Sequence, residues 1–218
     1  MNESNSSRTT IRRLSEKAVF EYDVVRQILS EGIVAHVGIV AKEGHPVVIP
    51  MAYAFVDDAM LLHGSVASRL MRSDTEVCAT VTLLDGIVVA RSLFASSMNY
   101  RSVTVFGHPE IVKDDEKEQA LLALSDSLIP GRVGHARGPS RTEIRETMVW
   151  RLPVNEWSVK LRKGPPVEAN DNDLQSEYWG GEIPLRLIAD DEIPDNQGRN
   201  VATPEHISRY VSERRHSG

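Results

Sequence analysis

Between residues 33 and 112 the chain stays apolar and β-branched but reverses direction every few residues, and that rhythm restricts it to an antiparallel, mainly β architecture. Residues 33–40 and 46–56 are β-branched runs on either side of Lys42-Glu43-Gly44-His45, a polar link with a glycine that reads as a hairpin turn. Asp57-Asp58 returns the chain into a third strand over residues 59–63. Residues 76–84 and 87–93 read as a second hairpin turning at Asp85-Gly86, and residues 102–112 as a long strand broken at Gly107-His108-Pro109. Links this short join antiparallel neighbours, because a parallel crossover needs a dozen residues or more. Six such strands in sequence predict a closed antiparallel barrel.

Helices flank this core. Val24, Val25, Ile28 and Leu29 recur at helical spacing over residues 22–31, with Gly32 as the stop. Residues 66–73 read as one or two helical turns. Residues 115–128 form a charged amphipathic helix that buries Leu121, Leu122 and Leu124 and ends before Pro130-Gly131. Residues 142–146 make a further helical turn, and residues 148–152 and 157–161 extend the sheet, with Pro153 limiting regular pairing. After Gly164-Pro165-Pro166 the composition shifts to Glu168, Asn170, Asp171, Asn172 and Asp173, an acidic loop. Residues 204–215 read as a polar terminal helix. The domain plan is therefore a flexible arm over residues 1–20, one folded domain over 21–164, and a C-terminal extension over 165–218.

With 218 residues, 41% of them hydrophobic, the chain is long enough for one sizeable core. A formal net charge of -6 argues against a general nucleic-acid surface. The single cysteine, Cys78, rules out an intramolecular disulfide and a cysteine-rich metal site, and fits a reducing, cytoplasmic compartment. The first twenty residues are polar and no run reaches the length of a membrane span, so no membrane association is expected. His36, His45, His108, His135, His206 and His216 show no metal-ligand spacing, and no metal is expected.

Chemistry concentrates in the segment LLHGSVASRLMR, residues 61–72, where His63, Ser65, Ser68, Arg69 and Arg72 occupy a turn after an apolar strand. Backbone N–H groups at a helix start, with hydroxyls and guanidinium nearby, can hold a phosphate. The plainer reading is a serine cap with Arg69 in solvent, and Arg72 in a surface pair with Asp74 or Glu76.

The order of PVVIPMAYA (46–54), LLHGSVASR (61–69), VCATVTLLDG (77–86), SSMNYRSVTVFG (96–107) and YWGG (178–181) resembles the FMN-binding split-barrel proteins related to pyridoxamine 5′-phosphate oxidase, in the branch of the nitroimidazole-resistance proteins. The resemblance spans about residues 22–184 and implies a six-stranded split β-barrel with flanking helices, forming a homodimer with one flavin at each end of the interface. It implies that Val48, Ile49, Pro50, Met51 and Tyr53 run beside the isoalloxazine, that Ser65, Ser68 and Arg69 face the phosphate, and that Asn99, Tyr100, Arg101 and Ser102 approach the ring or the dimer seam. His63 stands where the nitroimidazole-resistance proteins carry their active-site histidine, and Trp179 is placed to stack on the flavin or to cover the barrel end.

The implied activity is that of an FMN-dependent oxidoreductase passing electrons to a small acceptor, with NAD(P)H as a transient donor. A flavin carrier or redox-sensing partner protein is the alternative, and an empty barrel acting as a scaffold the third. Two departures matter. The chain runs EIPLRLIADDEIPDNQG after its WGG segment and lacks the Arg-x-His substrate clamp of the oxidases, so it is not a pyridoxamine 5′-phosphate oxidase in activity. Leu70 replaces the lysine that follows the phosphate-gripping arginine, which leaves FAD as an alternative to FMN.

Overall fold

The computed structural model describes residues 22–72, 74–195 and 201–216. The expected N-terminal arm, with Arg8, Arg12 and Arg13, lies outside the described residues, as does Ser73. The chain divides into two compact units, one built from residues up to 36 with 78–106 and 155–186, the other from 37–77, 107–154 and 187 onward.

In the first unit α1 (Tyr22–Glu31) coincides with its sequence expectation and buries Val25, Ile28 and Leu29. Tyr22 packs its ring 6.1 Å from that of Trp157, a buried residue on β8 (Glu156–Arg162). Full burial of an aliphatic or aromatic side chain contributes about 1.5–3 kcal/mol, so these residues anchor α1. β8 pairs antiparallel with β5 (Ser97–Gly107), which brings Tyr100 opposite Arg162 and Arg101 opposite Leu161.

The other strand of this unit corrects the sequence reading. Residues 77–89 are one continuous strand, β4 (Val77–Val89), and not a hairpin turning at Asp85-Gly86. Gly86 serves close approach instead of a turn: a Cβ there would sit 2.9 Å from the carbonyl oxygen of Ile183. That space admits β9 (Gly181–Pro184), which pairs with β4 so that Gly86 faces Pro184. β4 ends at Val89, short of the expected residue 93, and Leu93 and the following Phe94 form an exposed tip. The acidic loop contains one short helix, α4 (Asp171–Leu174), capped by the Asn170 side chain accepting from Asp173 N.

In the second unit, β1 (Val34–Val40), of which residues 37–40 belong here, reaches β2 (Pro46–Val56) through a turn closed by Ala41 N donating to His45 O at 2.9 Å. Gly44 takes φ 84°, a left-handed conformation that a glycine adopts without strain. β3 (Ala59–Ser65) pairs with β2 on one side and with β7 (Thr147–Pro153) on the other, and the two-residue β6 (Glu110–Ile111) adds to β7. Pro153 closes the β7 pairing opposite Ala59, at a strand end, where a missing N–H is tolerated.

Ala54, Leu61 and Val149 of this sheet form a core with Val112 and with Ala120 and Leu124 of α2 (Asp114–Leu128). Asp114, Asp115 and Glu116 in the first turn of α2 complement its dipole. α3 (Arg141–Glu146) starts with a capping box in which Ser140 and Glu143 satisfy each other's backbone N–H. α5 (Glu205–His216) closes the described chain. Of the helical turns expected over residues 66–73, the described residues 66–72 are turns without a helix: the hydroxyls of Ser65 and Ser68 accept from Ala67 N and Met71 N, and a segment this short gains too few backbone bonds to nucleate one.

Candidate functional site

The turn after β3 is held from below. Leu70 and Met71 are 4% and 1% exposed, and Gly64 lets Met71 pass beneath the strand end, since a Cβ on Gly64 would lie 2.8 Å from Met71 Cγ. Leu70, at the position where the oxidases carry a lysine, is thus an apolar anchor. Above it the backbone is tightly bonded: Ser68 N donates to Ser65 O, Arg72 N to Ser68 O, and Val66 N to Glu146 O. The oxygens of Ser65 and Ser68 accept from the backbone at 3.1 and 3.4 Å, which leaves each hydroxyl hydrogen available to a ligand.

Arg69 and Arg72 extend from this turn into a cavity of about 500 Å³ whose other wall is Ile39, Ala41, Lys42 and Glu43. Three cations face one carboxylate there. Arg72 is partly committed, because its Nη2 donates to Ala67 O at 3.1 Å. The sequence reading gave Arg72 to a surface pair with Asp74 or Glu76, and Lys42 to a hairpin turn. Arg72 also belonged to the segment read as able to hold a phosphate, whereas Lys42 carried no local signal, because the cavity forms only when the β1–β2 turn lies beside residues 69–72. His63 is exposed on β3, opposite Val149 and two residues before Ser65.

The expected isoalloxazine strand divides along its length. Val48, Ile49 and Pro50 are exposed, Val48 by 63%. Met51 is half-buried. Tyr53 is in the interior opposite Leu62, its carbonyl accepting from Ser127 Oγ, and burial pushes its phenol pKa above the ordinary value.

Asn99, Tyr100 and Arg101 line a different cavity, of about 540 Å³, within the first unit. Arg101 is clamped: Nε and Nη2 donate to both oxygens of Asp85 at 2.8–3.3 Å, and Nη1 to Glu31 at 2.5 Å. The Asp85 hydrogen bond is the chief cause that raises its pKa, ahead of opposing desolvation and the Glu31 bond. Asn99, buried, donates to Glu182 Oε2 at 2.6 Å and accepts from Arg162 Nη1. Ser102 is half-buried one position further along β5, outside the residues lining the cavity. Arg162 and Glu182 escaped the sequence reading because they lie 63 and 83 positions from Asn99.

Trp179 is 63% exposed, and its indole folds over Gly181, where a Cβ would sit 2.7 Å from the ring. Gly180 similarly lies over the Arg91 guanidinium, which Glu168 holds from a carboxylate that is 2% exposed. The two glycines of the WGG segment therefore serve packing.

The described residues hold no group of three or more histidine, cysteine or acidic side chains arranged to bind a metal. No helix among them is long and apolar enough to cross a membrane.

The family model described as pyridoxamine 5′-phosphate oxidase matches residues 21–161. Among solved structures, the chain is similar to a flavocytochrome from Azotobacter vinelandii, with 34% identity over 95% of this chain and 98% of that one and a TM-score of 0.89. It is also similar to an FAD and heme binding protein from Mycobacterium smegmatis, with 33% identity, coverage of 89% and 97%, and a TM-score of 0.84. A putative 5-nitroimidazole antibiotic resistance protein from Bacteroides thetaiotaomicron shares the fold at 23% identity, covering 66% of this chain and 85% of that one, with a TM-score of 0.56. No curated protein matches the sequence.

Proposed function

The chain belongs to the pyridoxamine 5′-phosphate oxidase family of flavin-binding, mainly β split-barrel proteins, and from that premise we propose that its basic turn anchors the phosphate of a flavin nucleotide. The observation that carries this reading is the convergence of Lys42, Arg69 and Arg72 on one cavity that Glu43 alone opposes. Charge-assisted hydrogen bonds contribute about 1.5–3 kcal/mol each, so three of them at the upper end reach about 8 kcal/mol, which micromolar retention of a nucleotide requires. The hydroxyls of Ser65 and Ser68 complete the grip by donating the hydrogens their backbone bonds leave unused.

Three cations exceed what a single phosphate needs, which favours a pyrophosphate, and FAD is named for the relative from Mycobacterium smegmatis. FMN, expected from the sequence, is the other outcome of the test. The described histidines offer heme no clear axial position. An imidazole that holds heme iron needs a ring nitrogen facing an open apolar cavity. The two ring nitrogens of His206 are buried without a hydrogen-bond partner, but its ring packs 4.4 Å from that of His135, and no histidine lines any of the three cavities near the turn, α2 or β9. No step is therefore routed through heme.

The activity proposed is electron transfer to a small acceptor, the flavin supplying the redox chemistry when bound. The protein's part is to fix the nucleotide through Lys42, Ser65, Ser68 and Arg69 and to offer a proton donor and acceptor in the exposed imidazole of His63. A homodimer completes the reading. Neighbouring residues Val48 and Ile49 point to opposite sides of β2 yet are both exposed, so that stretch lacks cover on either face.

The visible spectrum of the purified protein, followed by release and mass identification of its pigment, tests the proposal. Arg69→Ala is expected to weaken flavin retention about tenfold or more, and by more than Arg72→Ala, whose guanidinium already holds Ala67 O. A protein that stays colourless with added FMN and FAD, or equal retention by both variants, refutes the assignment.

A further inference from the structure

The terminal helix α5 is anchored by an ionisable side chain. Among residues 205–215 His206 alone is buried, 3% exposed, with Ile207, Tyr210 and Val211 half-buried beside it. The ion pair of Arg215 with Asp191 lies at the surface, where such pairs contribute little. His206 is seated on Gly131, in the loop that follows α2. A Cβ on Gly131 would lie 3.2 Å from His206 Cβ and 3.3 Å from Arg209 Nη2, and Gly131 takes φ 81°. The His206 ring packs 4.4 Å from that of His135, at 38°.

This seat suits a neutral imidazole and not a charged one. Docking covers both ring nitrogens of His206, and neither has a hydrogen-bond partner. An imidazolium carries a donor on each nitrogen and a charge, and both would be buried without compensation. The surroundings oppose the charge as well. His135 and Arg132 act on it from the loop, and Arg209 from α5 itself. His206 is the second residue of α5, where the helix dipole is positive. Asp126 attracts the charge but is engaged with Gly131 N at 2.9 Å, and the adjacent Glu205 is exposed; neither bonds the ring.

We propose that α5 is a pH-gated latch, in which protonation of His206 releases the helix from the loop over residues 129–135 while α2 and the sheet beneath it stay folded. The core that joins α2 to the sheet, Ala54, Leu61, Val112, Ala120, Leu124 and Val149, contains no residue of α5, so the helix can open locally. A released His206 is solvated and titrates near the ordinary imidazole value, about 6.5, whereas the docked ring resists the proton. Docking is therefore favoured above that value and weakens as the pH falls below it. The latch stands whether or not the basic turn holds a flavin.

Hydrogen exchange of the full-length protein, read as protection factors at pH 7.5 and 5.5, tests the latch. Protection of residues 207–215 is expected to fall about tenfold, the ratio that one proton with a solvated pKa of about 6.5 gives over this range, with α2 unchanged. His206→Leu keeps apolar bulk on Gly131 and has no proton to gain, so α5 should be equally protected at both pH values. His135→Leu leaves the titrating ring in place and should keep the dependence. A second reading needs no substitution: the titration midpoint of the His206 ring, followed by NMR, should coincide with that of α5 release. Constant protection of α5, an equal loss across α2, the same pH dependence in His206→Leu, or midpoints that differ overturns the proposal.

Discussion

The placement of the basic turn depends on one steric relation, and a double-mutant cycle measures it. Gly64 lies directly over Met71: a Cβ there would meet Met71 Cγ at 2.8 Å and Sδ at 3.3 Å, and Met71 is 1% exposed. Gly64 does not adopt a left-handed conformation, so Gly64→Ala costs no backbone strain and its whole effect is overpacking, about 1–3 kcal/mol. Met71→Ala empties a buried site and costs about 2–5 kcal/mol. In the double variant the new methyl group enters the space Met71 vacates. The combined loss should therefore fall short of the sum by about 1–2 kcal/mol. Urea denaturation of the four proteins supplies the values, with an unchanged m-value as the sign that only the native state is altered. Both single variants should also retain less flavin, since each moves the loop carrying Ser68 and Arg69. Additivity within about 0.5 kcal/mol refutes the claim that Gly64 and Met71 position the turn as a pair.

The β4–β9 contact makes a second prediction: Gly86→Val drives a side chain into the carbonyl of Ile183 and should cost about 1–3 kcal/mol, with amide exchange at residues 181–184 rising before that of β5. Acid sensitivity makes a third. Burial, with His135, Arg132 and Arg209 alongside and Asp126 opposing them, lowers the His206 pKa below its ordinary 6.5. A base whose folded pKa is depressed stabilises the fold above its unfolded value and loses that contribution as pH falls through the folded one. His206→Leu should accordingly flatten the acid side of the stability curve below pH 6.5, followed by circular dichroism, and an unchanged curve refutes the assignment.

Where local pattern and tertiary demand agree, the sequence was legible. Val25, Ile28 and Leu29 form a helical stripe that α1 buries as expected, and the Lys42–His45 link is the turn its glycine implies. Asp85-Gly86 shows the reverse. As a dipeptide it is a strong turn signal, but the passage of β9 across Gly86 needs the same missing Cβ, and nothing local distinguishes the two demands. Leu70 misleads in the same way: judged against the phosphate loop it is a lost cation, whereas in the fold it pins the loop. The charges that compensate, Lys42 and Arg72, come from a turn and a loop whose proximity depends on the folding of β1, β2 and β3. The helical turn expected over residues 142–146 is present as α3, and its capping box of Ser140 and Glu143 went unread in the sequence.

A net charge of -6 and a cavity with three cations impose different conditions on an anionic nucleotide. At distances beyond the Debye length, about 8 Å at physiological ionic strength, the protein's overall charge repels the ligand weakly or is screened out, so no long-range steering assists binding. Selectivity must then come from contact. Inside the cavity, Arg69 and Lys42 act at hydrogen-bond range, where desolvation strengthens the attraction and screening is small. The serine hydroxyls add directionality that a point charge lacks. In the second cavity, by contrast, Arg101 is spent on Asp85 and Glu31, and Arg162 donates to Asn99 and to the carbonyls of Gly164 and Pro165.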